Sequence, residues 1–288
     1  MKDVEKKYDV AADGRDVVVK NVDHFDPDLV FDCGQTFRFS KDAGGVWRGV
    51  AMARSLALAR EGNDLRIFDC DEKTFYDVWY DYLGLALDYD AVCASFPTDD
   101  LHLAEAAKIG SGIRILRQDR WEALCSFIIS QNNNIPRISM LVERLCNRYG
   151  KKFSDGKENY RAFPTPEELA DVSEADYARM GMGYRASYLV DAAGRVLSGE
   201  TVLEDIDGMT TAGATDYLKK IKGVGTKVAS CALLFGFSKY DAFPVDVWVK
   251  RIIEKYYPDT VGHPDFGKYA GIAQQYLFYY ERYISDHR

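Results

Sequence analysis

The hydrophobic period of this chain changes once, near residue 72, and that change limits the folds open to it. Before it, "DVVVKN" (16–21), "TFRFS" (36–40), "SLALARE" (55–61) and "DLRIFDC" (64–70) are short, β-prone and partly alternating. "DAGG" (42–45) and "EGND" (61–64) supply turns between them. After it, Phe75, Val78, Trp79, Tyr82 and Leu83 recur at helical spacing, as do Ile138, Leu141, Val142, Leu145, Cys146 and Tyr149. Further helices are expected at about 116–130, 167–180, 186–197, 212–221, 226–237, 247–257 and 266–285, with Pro164 and Pro166 marking a boundary. The expectation is an α+β protein. An antiparallel β-rich domain over 1–72 precedes an all-helical part over 73–288 that contains a helix–hairpin–helix at 212–237.

A chain of 288 residues with 47% hydrophobic side chains can bury a substantial core. No run approaches the roughly 18 apolar residues of a membrane span, and the charged start "MKDVEKKYDV" lacks the apolar stretch of a signal peptide. The six cysteines are scattered without a CxxC pair. That spacing fits free thiols and argues against a zinc ribbon or a CxxC redox site, and it excludes a closely spaced four-cysteine iron–sulfur site. A soluble intracellular monomer with no membrane partner is expected: cytoplasmic, at the nucleoid, in a prokaryote, or nuclear in a eukaryote. The net charge is −8, unevenly spread. Residues 111–152 carry eight Lys/Arg against three Asp/Glu, and residues 215–255 carry eight against four. A basic face on an acidic body is compatible with DNA, because local potential steers the ligand.

"LKKIKGVGTKVA" (218–229) reads as a helix end, a Gly-x-Gly turn and a second helix. Gly223 and Gly225 allow positive φ and close backbone approach, and the helix start offers free N–H groups to a phosphate. A tight connection between helices would use the same residues. Lys227 opens the second helix, where the macrodipole disfavours a cation. That setting favours the uncharged amine a nucleophile needs. Cys231 lies four residues on, so thiol and amine share a face and can form a charge pair. Asp246, in "FPVDVWV" (243–249), is a natural N-cap for the following helix. A capping carboxylate can also face a cleft.

With "GVGTKVASC" (223–231) and "FPVDVWV" together, the chain resembles the helix–hairpin–helix DNA glycosylases, and within them the 8-oxoguanine DNA glycosylase family. "FDCGQTFRF" (31–39), "SQNNNIPRISMLVERLCNRYG" (130–150), "GMGYRASY" (181–188) and "AQQYLFYY" (273–280) extend the resemblance over nearly the whole chain. It implies base excision followed by strand cleavage on double-stranded DNA containing oxidised guanine, with no metal or organic cofactor. Lys227 would attack C1′ and form a Schiff base, while Asp246 would stabilise the cationic sugar. The base would be read by the Gly34 carbonyl at N7 and by the Gln274 amide, stacked between Phe278 and Cys231.

By the same resemblance, Asn132 would fill the gap left by the flipped base, Arg137 and Arg185 would hold the orphaned cytosine, and Tyr184 would wedge the duplex. Gly223, Gly225 and Trp248 would contact phosphates. Three positions depart from the family pattern: Lys222 where proline is common, Trp248 where histidine is expected, and Phe235 where some relatives have methionine. Two alternatives remain open from the residues alone. One is a monofunctional alkylpurine glycosylase, against which Lys227 argues; the other is a non-catalytic helix–hairpin–helix DNA-binding module.

Overall fold

A computed structural model describes residues 7–286; the charged opening segment 1–6 lies outside the described residues. A six-stranded sheet is built from β1 (Val10–Asp13), β2 (Asp16–Val19), β3 (Phe39–Lys41), β4 (Trp47–Ala51), β5 (Arg54–Glu61) and β6 (Asp64–Ile67). Its order is β1-β2-β6-β5-β4-β3, with every neighbour antiparallel. Ile67 pairs with Val17 on one side and Leu58 on the other, which aligns the apolar residues of the central strands. Two of the strands, β1 and β4, carry little sequence signal. "VAAD" has weak β-propensity, and "WRGVA" contains Gly49, where a Cβ would come within 2.4 Å of the Arg38 carbonyl oxygen.

The sheet buries Val17, Val19, Leu56, Leu58, Leu65 and Ile67 against Phe75, Trp79, Tyr82, Leu83, Leu85 and Leu116, so its core continues past residue 72. The β-rich region also contains a helix, Pro27–Asp32, that alternation did not reveal. Asp26 caps it, Pro27 sits in its first turn, and Gly34 follows at φ +82°. That positive φ just past a helix end is the conformation glycine adopts without a Cβ penalty. The turn carries Gly34 to the helical part of the molecule.

Helices Arg120–Ser130, Ile135–Tyr149, Ala186–Leu197, Thr211–Leu218, Thr226–Phe237, Val247–Tyr256 and Ala270–Asp286 form most of the remainder. The first begins at Arg120, not 116, because Asp119 accepts the Glu122 N–H as N-cap while Leu116 and Gln118 donate their backbone N–H groups to Gln35 and Phe235. The expected 167–180 helix splits into a 3₁₀ turn, Glu167–Leu169, and a helix, Glu174–Arg179, opened by a Ser173/Asp176 capping box. The helical part is not all helix, since strands Lys152–Ser154 and Asn159–Arg161 form a hairpin. Helices Arg120–Ser130 and Thr226–Phe237 are almost wholly buried and stack Phe127 on Phe235, ring centroids 5.2 Å apart. Among the described residues no helix is long and apolar enough to cross a membrane.

Candidate active site

Three adjoining cavities open where those two buried helices end. The largest, an open cleft of about 1100 Å³, is lined by the Gln131–Asn134 turn, Arg137, Tyr184, Arg185, Gly225, Lys227, Asp246 and Trp248, among others. A second, of about 410 Å³, includes Gly34, Ser130, Lys227, Asp246, Trp248 and Phe278 in its wall. The third is a slot of about 60 Å³ between Gly34, Cys231, Gln274 and Phe278. Lys227 and Asp246, distant in sequence, belong to the walls of all three.

The hairpin owes its shape to one of its two glycines. Gly223 has φ +77°, and a Cβ there would lie 2.2 Å from the Tyr188 ring. Gly225 has an ordinary φ of −92° as N-cap, so positive φ explains only Gly223. With no side chain at Gly225 to cap the helix, the first N–H groups of Thr226–Phe237 lack a side-chain acceptor beside the cleft. The Lys222 N–H donates to Asp191 at 2.7 Å, tying the hairpin to the Ala186–Leu197 helix.

Lys227 is half-buried; its Nζ donates to Ser130 Oγ at 3.3 Å and sits 5.6 Å from the Phe127 ring centroid. Asp246 caps Val247–Tyr256, with Oδ1 accepting the Val249 N–H at 2.8 Å. One carboxylate therefore serves both readings: it holds a helix and faces the cleft. Burial pushes the Cys231 thiol up, against an opposing pull from Lys227. A neutral thiol is favoured, so the expected Lys227–Cys231 charge pair gains no support.

In the slot, Gln274 is 4% exposed and its Oε1 has no hydrogen-bond partner among the described residues. A buried acceptor without a donor is costly, and a ligand N–H would satisfy it. Phe278 is half-buried, with the Arg282 guanidinium 5.7 Å from its ring centroid. At about 60 Å³ the slot is much the smallest of the three cavities and has to widen to admit a two-ring base.

The asparagine run has three separate local tasks. Asn132 sits at φ +51°, which asparagine tolerates. Asn133 donates to the Ile129 carbonyl at 2.8 Å, and Asn134 caps the next helix through the Arg137 N–H. Arg137 is exposed at the cleft, and its guanidinium has no partner among the described residues. Arg185 differs: it is 5% exposed, and its guanidinium is engaged by the carbonyls of Gln131, Asn132 and Met182. Tyr184 is 51% exposed, packed edge-on against Tyr188. Trp248 lines the cleft with Arg251 over its ring at 5.4 Å.

Sequence reasoning missed the residues that fix the site from behind. Gln35, fully buried, donates to the Val30 and Arg114 carbonyls and accepts from the Leu116 N–H. Gln275 donates to the Cys33 carbonyl at 2.8 Å, so the Gly34 turn is held by the sheet domain and the last helix together. Ser130 was also missed. A polar residue inside an apolar helix was the available signal for it.

Residues 125–261 match the HhH-GPD superfamily of base excision DNA repair proteins, and residues 17–124 match the 8-oxoguanine DNA glycosylase N-terminal domain. The Arabidopsis thaliana N-glycosylase/DNA lyase OGG1 is 30% identical over 277 residues, covering 87% of this chain and 75% of that protein. The structure of MBOgg1 in complex with a low-affinity DNA ligand superposes with a TM-score of 0.91 at 41% identity, covering 97% of this chain and 99% of that one. The Clostridium acetobutylicum 8-oxoguanine glycosylase/lyase, solved with double-stranded DNA containing cytosine opposite 8-oxoG, gives 0.90 at 37% identity, covering 96% and 99%. The chain belongs to the 8-oxoguanine DNA glycosylase family of the helix–hairpin–helix superfamily.

Proposed function

We propose that this enzyme removes 8-oxoguanine from duplex DNA, preferentially opposite cytosine, and then cleaves the strand as a lyase. The observation that carries the reading is the shared position of Lys227 and Asp246 in the walls of three adjoining cavities. The damaged nucleotide leaves the stack, at a cost of a few kcal/mol, and its base enters the slot by displacing Phe278. Gln274 Oε1 then gains the N–H donor it lacks. N7–H, which guanine does not have, donates to the Gly34 carbonyl; guanine would set a lone pair against it, losing about 1–3 kcal/mol.

Lys227, once it has lost its ammonium proton, forms the Nζ–C1′ bond as the C1′–N9 bond breaks. The bonding pair departs with the base, which takes up a proton, and the amine gives up one. The Asp246 carboxylate offsets positive charge developing on the sugar. Loss of the C1′–O4′ bond, with the ring oxygen departing as the C4′ hydroxyl, leaves C1′ joined to nitrogen as an imine. Loss of a C2′ proton then expels the 3′ phosphate by β-elimination, and water releases the enzyme. Across the gap, Asn132 fills the vacated space while Arg137 donates to cytosine O2 and N3.

Incubation with an 8-oxoguanine:cytosine duplex and borohydride tests the reading. A covalent adduct that Lys227→Gln abolishes is expected. Base release without an adduct would instead indicate an aspartate–water route, and binding alone would leave a DNA-binding module.

A further inference from the structure

Ser130 is the last residue of the buried Arg120–Ser130 helix, and nothing in the proposed reaction yet uses it. It is 8% exposed, and its Oγ donates to the Phe127 carbonyl at 2.8 Å. A hydroxyl has a single proton. With that proton committed to Phe127, Oγ presents only lone pairs to Lys227 Nζ at 3.3 Å. Ser130 therefore accepts from the amine and cannot donate to it. Phe127 supplies the second wall, its ring beneath Nζ, and Ser130, Phe127 and Lys227 all line the cavity of about 410 Å³.

We propose that Ser130 is a positioning residue for the reacting amine: it anchors one N–H of Lys227 without itself taking up the nitrogen lone pair that attacks C1′. The assignment rests on the Lys227 reading above. A four-carbon stem gives lysine many rotamers, and a fixed acceptor on one side of Nζ selects those that aim it into the cavity. The back-bond to Phe127 makes the arrangement directional. If the Ser130 proton were free, it would be donated to the uncharged amine and occupy the lone pair that attacks. Ser130 takes no proton itself; it directs the one group that forms a bond to sugar.

The test compares wild type, Ser130→Ala, Ser130→Thr and Lys227→Gln in single-turnover excision and borohydride trapping, with duplex affinity and melting temperature measured alongside. Ser130→Ala should slow both excision and trapping by about tenfold to a hundredfold, the effect of a misplaced reacting group, with affinity unchanged. Threonine can make the same back-bond from Oγ1, so Ser130→Thr should regain most of the rate. Ser130→Ala at the wild-type rate, or Ser130→Thr as slow as alanine, overturns the assignment. So does a loss of rate matched by an equal loss of affinity and of melting temperature. Wild type that releases base but forms no adduct overturns the Lys227 reading itself, and this assignment falls with it.

Discussion

Arg185 and Gln131 are joined across 54 residues by a guanidinium that donates from Nε and Nη2 to one backbone carbonyl. Two further bonds, to Asn132 and Met182, leave this arginine holding the turn beside the cleft. Arg137, exposed and with no guanidinium partner among the described residues, is the arginine ready to meet a base. The two should therefore respond differently to alanine. Arg137→Ala should leave the melting temperature unchanged and flatten the ratio of excision rates for lesions opposite cytosine, adenine and thymine. Each well-made side-chain contact to a base is worth about 1–3 kcal/mol. Comparable wild-type rates opposite all three bases would refute the proposed role of Arg137.

Arg185→Ala should instead unfold at lower denaturant. It removes the guanidinium bonds to the Gln131, Asn132 and Met182 carbonyls, leaving Gln131 with the Tyr184 hydroxyl and Met182 with the residue 185 N–H, at a cost on the order of 2 kcal/mol in total. Activity should fall with stability, and binding to undamaged duplex should fall too, since the Asn132 turn loses its support. Unfolding in urea, followed by circular dichroism, measures the stability loss directly.

The hairpin glycines make a second contrasting pair. Gly223→Ala combines a left-handed backbone, which costs a non-glycine residue about 1–2 kcal/mol, with a Cβ driven into the Tyr188 ring. Gly225→Ala meets nothing within 4 Å and keeps an allowed φ. The first should lower the melting temperature by several degrees and weaken DNA binding. The second should be close to wild type in stability, and any loss of DNA affinity would then report close approach of a phosphate.

What the sequence made legible follows from what sets each feature. Helices Ala186–Leu197 and Thr226–Phe237 match their expected ranges, because each is apolar at helical spacing and has a local boundary signal. Asp246 was readable both as a cap and as a site residue, because capping is local and the family motif surrounds it. The Pro27–Asp32 helix was not legible, since six residues show too little periodicity to stand against the strands around them. Gln35, Gln275 and the carbonyl partners that hold Arg185 escaped for another reason. The contacts are to backbone carbonyls and amides far away in sequence, and side-chain pattern carries no record of those. The widening the slot requires was equally absent from the sequence, because volume is a property of packing.

Glu122 allows a pH test. Burial raises its carboxyl from 4.5 to about 7, Arg38 opposing and Asp119 and Glu143 adding to the rise. The folded state thus holds this proton more tightly than the unfolded chain. Its contribution is fully present below about pH 4.5 and is lost as pH rises through about 7. Glu122→Gln has no proton to lose. Its melting temperature should therefore gain on wild type as pH rises from about 5 to about 7 and level off above that. A constant offset across the range would show that Glu122 titrates alike in both states.

The sharpest separation of structure from chemistry lies at Asp246. Asparagine caps helices about as well as aspartate, so Asp246→Asn should keep the bond to Val249 and a melting temperature close to that of wild type. It removes the negative charge facing the sugar. Single-turnover base release should slow by about 10²–10³-fold, the range seen when one preorganised electrostatic partner is lost. Lys227 remains, so trapping on a duplex with a preformed abasic site should persist, because there the aldehyde is attacked with no glycosidic bond to break. Asp246→Ala loses cap and charge together and should add a stability loss of about 1 kcal/mol. If Asp246→Asn released base at the wild-type rate, the carboxylate would be a cap and nothing more, and the charge opposing the cationic sugar would have to be sought elsewhere in the cleft.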